Sequence, residues 1–163
     1  MDQPFFITGY PRSMTAWLSV ALDCAHERDG DPIEEFMQKL DSGEQVGNAE
    51  STIVFFFDVI KERWPKSRWV VIERDKEESL SALCKVSDIA VERMRPLFDA
   101  IEIHIASITS VLVVKFSEIL YRIREIWEWC RPLQEFPEQR IKRLQILNIQ
   151  QNPSLIKEAG KLL

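Results

Sequence analysis

Short apolar runs alternate along the chain with longer segments whose apolar residues recur at helical spacing. Three runs predict buried β-strands, at residues 4–8, 68–72 and 111–116. Each is nearly continuous in apolar character, which is typical of parallel strands covered on both faces. Residues 44–48 predict a further, shorter strand.

Between and after these strands, apolar positions spaced three or four residues apart predict α-helices. Residues 52–64 fit either a strand or a helix, but the length of this segment and its charged end before Pro65 favour a helix. Pro96 predicts a kink or a break in the longest helix. The predicted helices are 13–24, 32–42, 52–64, 77–84, 88–109, 117–129, 137–149 and 153–162.

Strands that alternate with helices predict an α/β fold in three layers, α/β/α, with a short and mostly parallel sheet and a helix-rich C-terminal part. The chain has 163 residues, and 45% of them are hydrophobic and 29% charged. This size and balance predict a single domain over residues 1–163.

The charge and cysteine content narrow the class of protein. A net charge of -5 argues against a general nucleic-acid or anionic-membrane surface, so any anion site must be local. Three widely spaced cysteines suggest neither a disulfide framework nor a metal site. No apolar run is long enough to span a bilayer, and the first residues lack a signal-peptide pattern. We therefore expect a cytoplasmic protein, with homo-oligomerisation left open.

The segment after the first predicted strand has the residues of an anion-binding loop. Backbone N–H groups at a helix start favour negative charge, Arg12 can add a bidentate contact, and Ser13 and Thr15 can donate from their hydroxyls. A solvated turn with Ser13 as the helix cap explains these residues equally well. Met14 stands where the ATP-binding loop has its second glycine and no Lys follows it, which disfavours NTP hydrolysis.

The sequence GYPRSMTAW, residues 9–17, resembles the G-x-PRSGTTW loop of sulfotransferases, which holds the 5′-phosphosulfate of the donor 3′-phosphoadenylyl sulfate (PAPS). Two later segments resemble further parts of that family: WVVIERDKEESLSAL, residues 69–83, and VLVVKFSEIL, residues 111–120. Residues 24–27 and 47–51 are similar to elements of small bacterial and phage members. The resemblance implies a P-loop NTPase-like fold of the sulfotransferase type.

The resemblance also implies which residues bind PAPS, or its product 3′-phosphoadenosine 5′-phosphate (PAP). The loop would hold the 5′ end, and Arg74 with a serine on the following helix would hold the 3′-phosphate. Met14 and Ala16 replace a glycine and a threonine of the family loop, and Ser81 lies one residue short of the usual interval, so Ser79 is a possible substitute. The implied set is Arg12, Ser13, Met14, Thr15, Ala16, Trp17, Arg74, Ser81 and Ser79.

Catalysis would need charge stabilisation and a base for the acceptor's proton. Arg12 would supply the first. His26 is the leading candidate for the base, with its neighbour Glu27 orienting the imidazole, and Glu50 is the reserve. A solvated helix cap is the alternative interpretation of the His26–Glu27 pair.

Three functions follow from these residues. The first is a sulfotransferase-like enzyme that transfers a sulfuryl group from PAPS to an unknown hydroxyl or amine acceptor. The second is a non-catalytic nucleotide-binding or protein-interaction domain that retains the fold. The third, a small nucleotide kinase, is disfavoured by the missing loop Lys.

Overall fold

A computed structural model describes residues 3–146 as an α/β fold built on one parallel five-stranded sheet. The strand order is β2-β3-β1-β4-β5. The strands are β1 (Phe5–Gly9), β2 (Ala25–His26), β3 (Gly47–Ala49), β4 (Arg68–Glu73) and β5 (Val111–Lys115). The helices are α1 (Thr15–Leu22), α2 (Ile33–Ser42), α3 (Phe57–Arg63), α4 (Lys76–Ser87), α5 (Val91–Ser107), α6 (Ile123–Cys130) and α7 (Glu138–Ile146).

Helices cover both faces of the sheet, which confirms the predicted α/β class with parallel strands and three layers. The residues of β1 alternate between two cores: Phe5 and Ile7 pack in the core that includes residues of α1, α6 and α7. Phe6 packs in the core that includes residues of α2, α3 and α5. This alternation follows from the period of two in a strand, and it explains why β1 is apolar throughout and buried at every position.

The predicted elements agree with the structure at most positions. The helix predicted at 52–64 begins with a 3₁₀ turn, Thr52–Phe56, which leads into α3. Of the kink or break predicted at Pro96, the break does not occur, because α5 runs through this residue from Val91 to Ser107. Phe98 and Ile101 just beyond the proline are fully buried, and this packing holds the helix together. The helix predicted at 153–162 lies outside the described residues.

The region from residue 3 to residue 146 contains no helix with the length and apolar character that a membrane crossing requires.

Candidate functional site

The loop between β1 and α1 has an unusual backbone. Arg12 and Met14 both lie in the left-handed region, with φ values of 70° and 63°, on either side of Ser13. Left-handed residues alternating with right-handed ones curl the chain so that successive N–H groups line a concave anion site. The N–H groups of the first turn of α1, which begins at Thr15, would add to such a site.

Ser13 is fully buried in this loop, and its Oγ has no hydrogen-bond partner anywhere in residues 3–146. The N-cap of α1 is Met14, and no side chain caps the helix. The alternative of a solvated turn capped by Ser13 is therefore wrong. A buried hydroxyl without a partner costs about 1–3 kcal/mol, which a ligand oxygen would recover.

Contacts from the β4 side hold the carbonyl groups of the loop. Ser79 on α4 donates to the Pro11 carbonyl, and Arg74 donates from Nη1 to the Arg12 carbonyl. Gly9 lets β1 approach β4 closely, since a Cβ there would come within 2.7 Å of the Ile72 carbonyl oxygen. The loop is thus anchored to the sheet at its start and to β4 and α4 beyond it.

A cleft of about 640 Å³ lies beside the loop, between β1 and β3 at the carboxyl edge of the sheet. The chain leaves β1 toward one face and β3 toward the other, and open α/β sheets bind ligands at such a point. Predicted residues Arg12, Thr15, Ala16, His26 and Glu27 all line the cleft. The other lining residues are Pro11, Arg28, Glu50, Ser51, Thr52, Leu83 and Val86.

Glu50 is the centre of a polar network on the β3 side of this cleft. Its carboxylate is 4% exposed and accepts hydrogen bonds from Arg28 Nη1 at 2.7 and 2.9 Å and from Asn48 Nδ2 at 2.9 Å. Thr52 donates to it as well. The sequence did not predict Arg28, Asn48 or Thr52 as site residues. Asn48 lies within β3, Thr52 follows that strand and Arg28 follows β2, so no single local pattern joins them.

The segment after β2 is held in a strained conformation beside the cleft. Glu27, Arg28 and Asp29 have consecutive φ values of 51°, 54° and 56°. Left-handed residues other than glycine cost about 1–2 kcal/mol each, so such a run needs compensating contacts. The Arg28 N–H donates to Asn48 Oδ1 at 3.0 Å, and the His26 N–H donates to Asp29 Oδ1 at 3.1 Å.

His26 and Glu27 both reach the cleft, but in different ways. His26 ends β2 and is partly buried, while Glu27 is exposed. The carboxylate that contacts His26 is that of Asp29, which accepts from the His26 backbone N–H. The carboxylate that organises this part of the cleft is Glu50.

Arg74 contacts the loop but is not among the residues lining the cleft. Its side chain is 11% exposed and stacks over Phe116 at 4.1 Å, and its Nη2 donates to Glu78 at 2.6 Å. Its Nε is buried without a partner in residues 3–146. Of the two candidate serines, Ser79 is buried against the loop, whereas Ser81 is exposed on α4.

Trp17, Cys24 and Cys130 pack in the core on the α1 side of the sheet. The Trp17 indole is buried and donates to the Leu144 carbonyl at 3.2 Å, which ties α1 to α7. Burial raises the pKa of the Cys24 and Cys130 thiols, so both stay protonated and unreactive near neutral pH. Among residues 3–146, no three His, Cys, Asp or Glu side chains cluster as a metal site would require.

Neither a comparison with models of known protein families nor one with curated proteins finds a match for this sequence. The loop, the cleft and the residues that hold them are therefore the features that bear on function.

Proposed function

We propose that the chain is a sulfotransferase-like protein of P-loop type, which binds PAPS and transfers its sulfuryl group to a hydroxyl or amine acceptor. The observation that carries the proposal is the loop between β1 and α1. It combines two left-handed residues, a buried hydroxyl without a partner on Ser13, and a cleft containing Arg12 and His26. PAPS is proposed as the ligand because residues 9–17 resemble the sulfotransferase loop.

Two buried donors without partners support a ligand with two anionic ends. Ser13 Oγ lies within the loop, and Arg74 Nε lies beside it, next to the contact between Arg74 and the Arg12 carbonyl. Buried donors are rarely left unsatisfied in folded proteins. The 5′ end of the nucleotide would use Ser13 and the first N–H groups of α1, and the 3′-phosphate would use Arg74.

The cleft has the groups that sulfuryl transfer needs. The acceptor oxygen or nitrogen would form a bond to sulfur as the bond between sulfur and the 5′-phosphate oxygen breaks, leaving PAP. His26 would take the acceptor's proton. We prefer it to Glu50 because the Glu50 carboxylate already accepts hydrogen bonds from Arg28, Asn48 and Thr52.

Thermal unfolding with added PAP, ATP or AMP tests the binding part of this proposal. PAP alone should raise the melting temperature, and Arg12→Ala and Arg74→Ala should each abolish the rise. Arg63→Ala is a matched control, because Arg63 pairs with Asp41 and does not line the cleft. An absent response to PAP would overturn the proposal, and a response to ATP with AMP would favour a nucleotide kinase.

A non-catalytic nucleotide-binding or protein-interaction domain is the second candidate. One observation favours it: the protein itself already engages Arg74 Nη1, Arg74 Nη2 and the Ser79 hydroxyl. Release of PAP from PAPS, with water as the acceptor, separates the two candidates. An enzyme that accepts water should release PAP, and His26→Ala should bind PAP normally but lose this release. Binding without release favours the second candidate.

A further inference from the structure

The guanidinium of Arg74 already holds an anion from its own protein. Glu78, which lies four residues later in the first turn of α4, accepts from Arg74 Nη2 at 2.6 Å. The Arg74 side chain is 11% exposed and that of Glu78 is 63% exposed. Because Nη1 donates to the Arg12 carbonyl, the carboxylate occupies the side of the guanidinium that remains for an external ligand.

Glu78 accepts a hydrogen bond from only one of the two nitrogens on that edge of the Arg74 guanidinium. The N–H groups of Nε and Nη2 lie on the same edge of a guanidinium, and together they bind two oxygens of one carboxylate or phosphate. Glu78 accepts from Nη2, whereas Nε is buried with no partner in residues 3–146. The unpaired Nε indicates that this edge suits a ligand with a better-placed second oxygen.

We infer that Glu78 is an internal competitor for the anion site at Arg74, and that the 3′-phosphate of the donor must displace it in order to bind. This inference rests on the proposed function. Displacement requires little else to move, because Asp75 caps α4 through the Glu78 N–H at 2.8 Å and holds the helix start independently of the Glu78 side chain. The ring of Phe116 stacks against the Arg74 guanidinium and keeps it in place.

The competition makes the 3′-phosphate decisive for binding. A nucleotide without a 3′-phosphate has no anionic group that can replace the Glu78 carboxylate, so the ion pair between Arg74 and Glu78 stays intact. A nucleotide with a 3′-phosphate binds both Nε and Nη2 of Arg74. Its affinity is lower than it would be without Glu78, because the carboxylate must first be displaced. Neutralising Glu78 should therefore tighten the binding of PAP and leave AMP without a gain.

The neighbouring residue Glu77 is a close control. It lies in the same first turn of α4, its side chain is also 63% exposed, and it also pairs with an arginine, Arg95. Glu77→Gln removes the same charge from the same helix end without touching Arg74. Any general effect of charge on nucleotide binding should appear in both variants.

Isothermal titration calorimetry on the full chain with PAP and with AMP tests the inference. Glu78→Gln should lower the Kd for PAP about fivefold, the size expected for removing one partly exposed ion pair. Glu77→Gln should leave the Kd unchanged, and neither variant should gain binding of AMP. Glu78→Asp, whose shorter side chain reaches Arg74 poorly, should lower the Kd as well and serves if the first variant fails to fold.

An unchanged or higher Kd for PAP in both Glu78 variants, with normal binding by the wild type, overturns the competition and leaves the proposed function intact. An equal gain in Glu77→Gln overturns it too, because the effect would then be one of general charge. Absence of PAP binding in the wild type and in every variant overturns the proposed function, and this inference with it.

Discussion

Ser79 donates a hydrogen bond from its hydroxyl to the main-chain carbonyl of Pro11, and so joins helix α4 to the loop after β1. Arg74 binds the next carbonyl, that of Arg12, from the same side. The carbonyl groups of two consecutive residues are therefore neutralised by donors. This lowers the negative potential that an anion approaching the loop would meet, and it leaves the loop's N–H groups for the ligand.

Replacing Ser79 by Ala should weaken both the fold and the site. The partly buried Pro11 carbonyl would lose its donor, which should reduce the free energy of unfolding by about 0.5–1.5 kcal/mol. The Kd for PAP should rise as the loop loosens. Urea unfolding and calorimetry measure the two effects.

Ser81→Ala is the control for this variant, because Ser81 is exposed on the same helix. Its free energy of unfolding should stay within about 0.5 kcal/mol of the wild type. If Ser81→Ala weakens PAP binding and Ser79→Ala does not, then Ser81 holds the 3′-phosphate, and the hydrogen bond from Ser79 to the loop does not matter for binding.

Alkaline pH should destabilise the protein through Tyr10. Burial, followed by the charge and hydrogen bond of Glu102, raises the pKa of Tyr10 from its ordinary 10.0 to about 12. The folded state therefore keeps this proton while the unfolded chain loses it. The resulting stability is complete below pH 10 and disappears as the pH rises through 12.

Urea unfolding between pH 9 and 12 measures this effect. Relative to Tyr10→Phe, which keeps the stacking on Phe98 at 5.3 Å, the wild type should lose on the order of 2 kcal/mol across the upper part of this range. Tyr121 is 90% exposed, and Tyr121→Phe should follow the wild type. Parallel profiles for wild type and Tyr10→Phe would show that Tyr10 does not cause the alkaline loss.

Local patterns were enough to predict much of the fold. The runs that became β1 and β4 are apolar because both faces of these strands are covered, whereas β5 is an edge strand on which Val113 is exposed. The Pro and Gly bounding α2 mark its ends. The strand β2 was missed because two residues, Ala25 and His26, are too few to show a period. The strand order depends on packing between distant segments, which no local pattern records.

Some residues of the candidate site could be predicted from a local pattern, and others depend on packing between distant segments. The loop residues from Arg12 to Trp17 are consecutive, so a local pattern can suggest an anion-binding loop, although a turn capped by Ser13 fitted the same residues equally well. The pairing of Arg28 with Glu50 joins residues 22 positions apart, and it exists because β2 and β3 are neighbours in the sheet. The burial of Ser13, which argues against a solvated turn capped by its hydroxyl, likewise depends on tertiary packing.

Met14 should tolerate glycine better than a β-branched residue. Its φ of 63° lies in the left-handed region, which glycine enters without steric cost and valine strongly disfavours. Met14→Val should lower the free energy of unfolding by about 1–2 kcal/mol and weaken PAP binding. Met14→Gly should stay closer to the wild type in both. The reverse order in calorimetry and urea unfolding would mean that side-chain packing, rather than backbone conformation, determines this position.

Glu50→Gln should release the strained segment from Glu27 to Asp29, whereas Glu27→Gln should not. Glu50 is 4% exposed and binds Arg28, so the neutral amide should cost about 1–3 kcal/mol of unfolding free energy and raise hydrogen exchange at the Arg28 amide. Glu27 is exposed, and its variant should exchange like the wild type. Faster exchange in Glu27→Gln alone would contradict the network, because the strained turn would then depend on the exposed carboxylate.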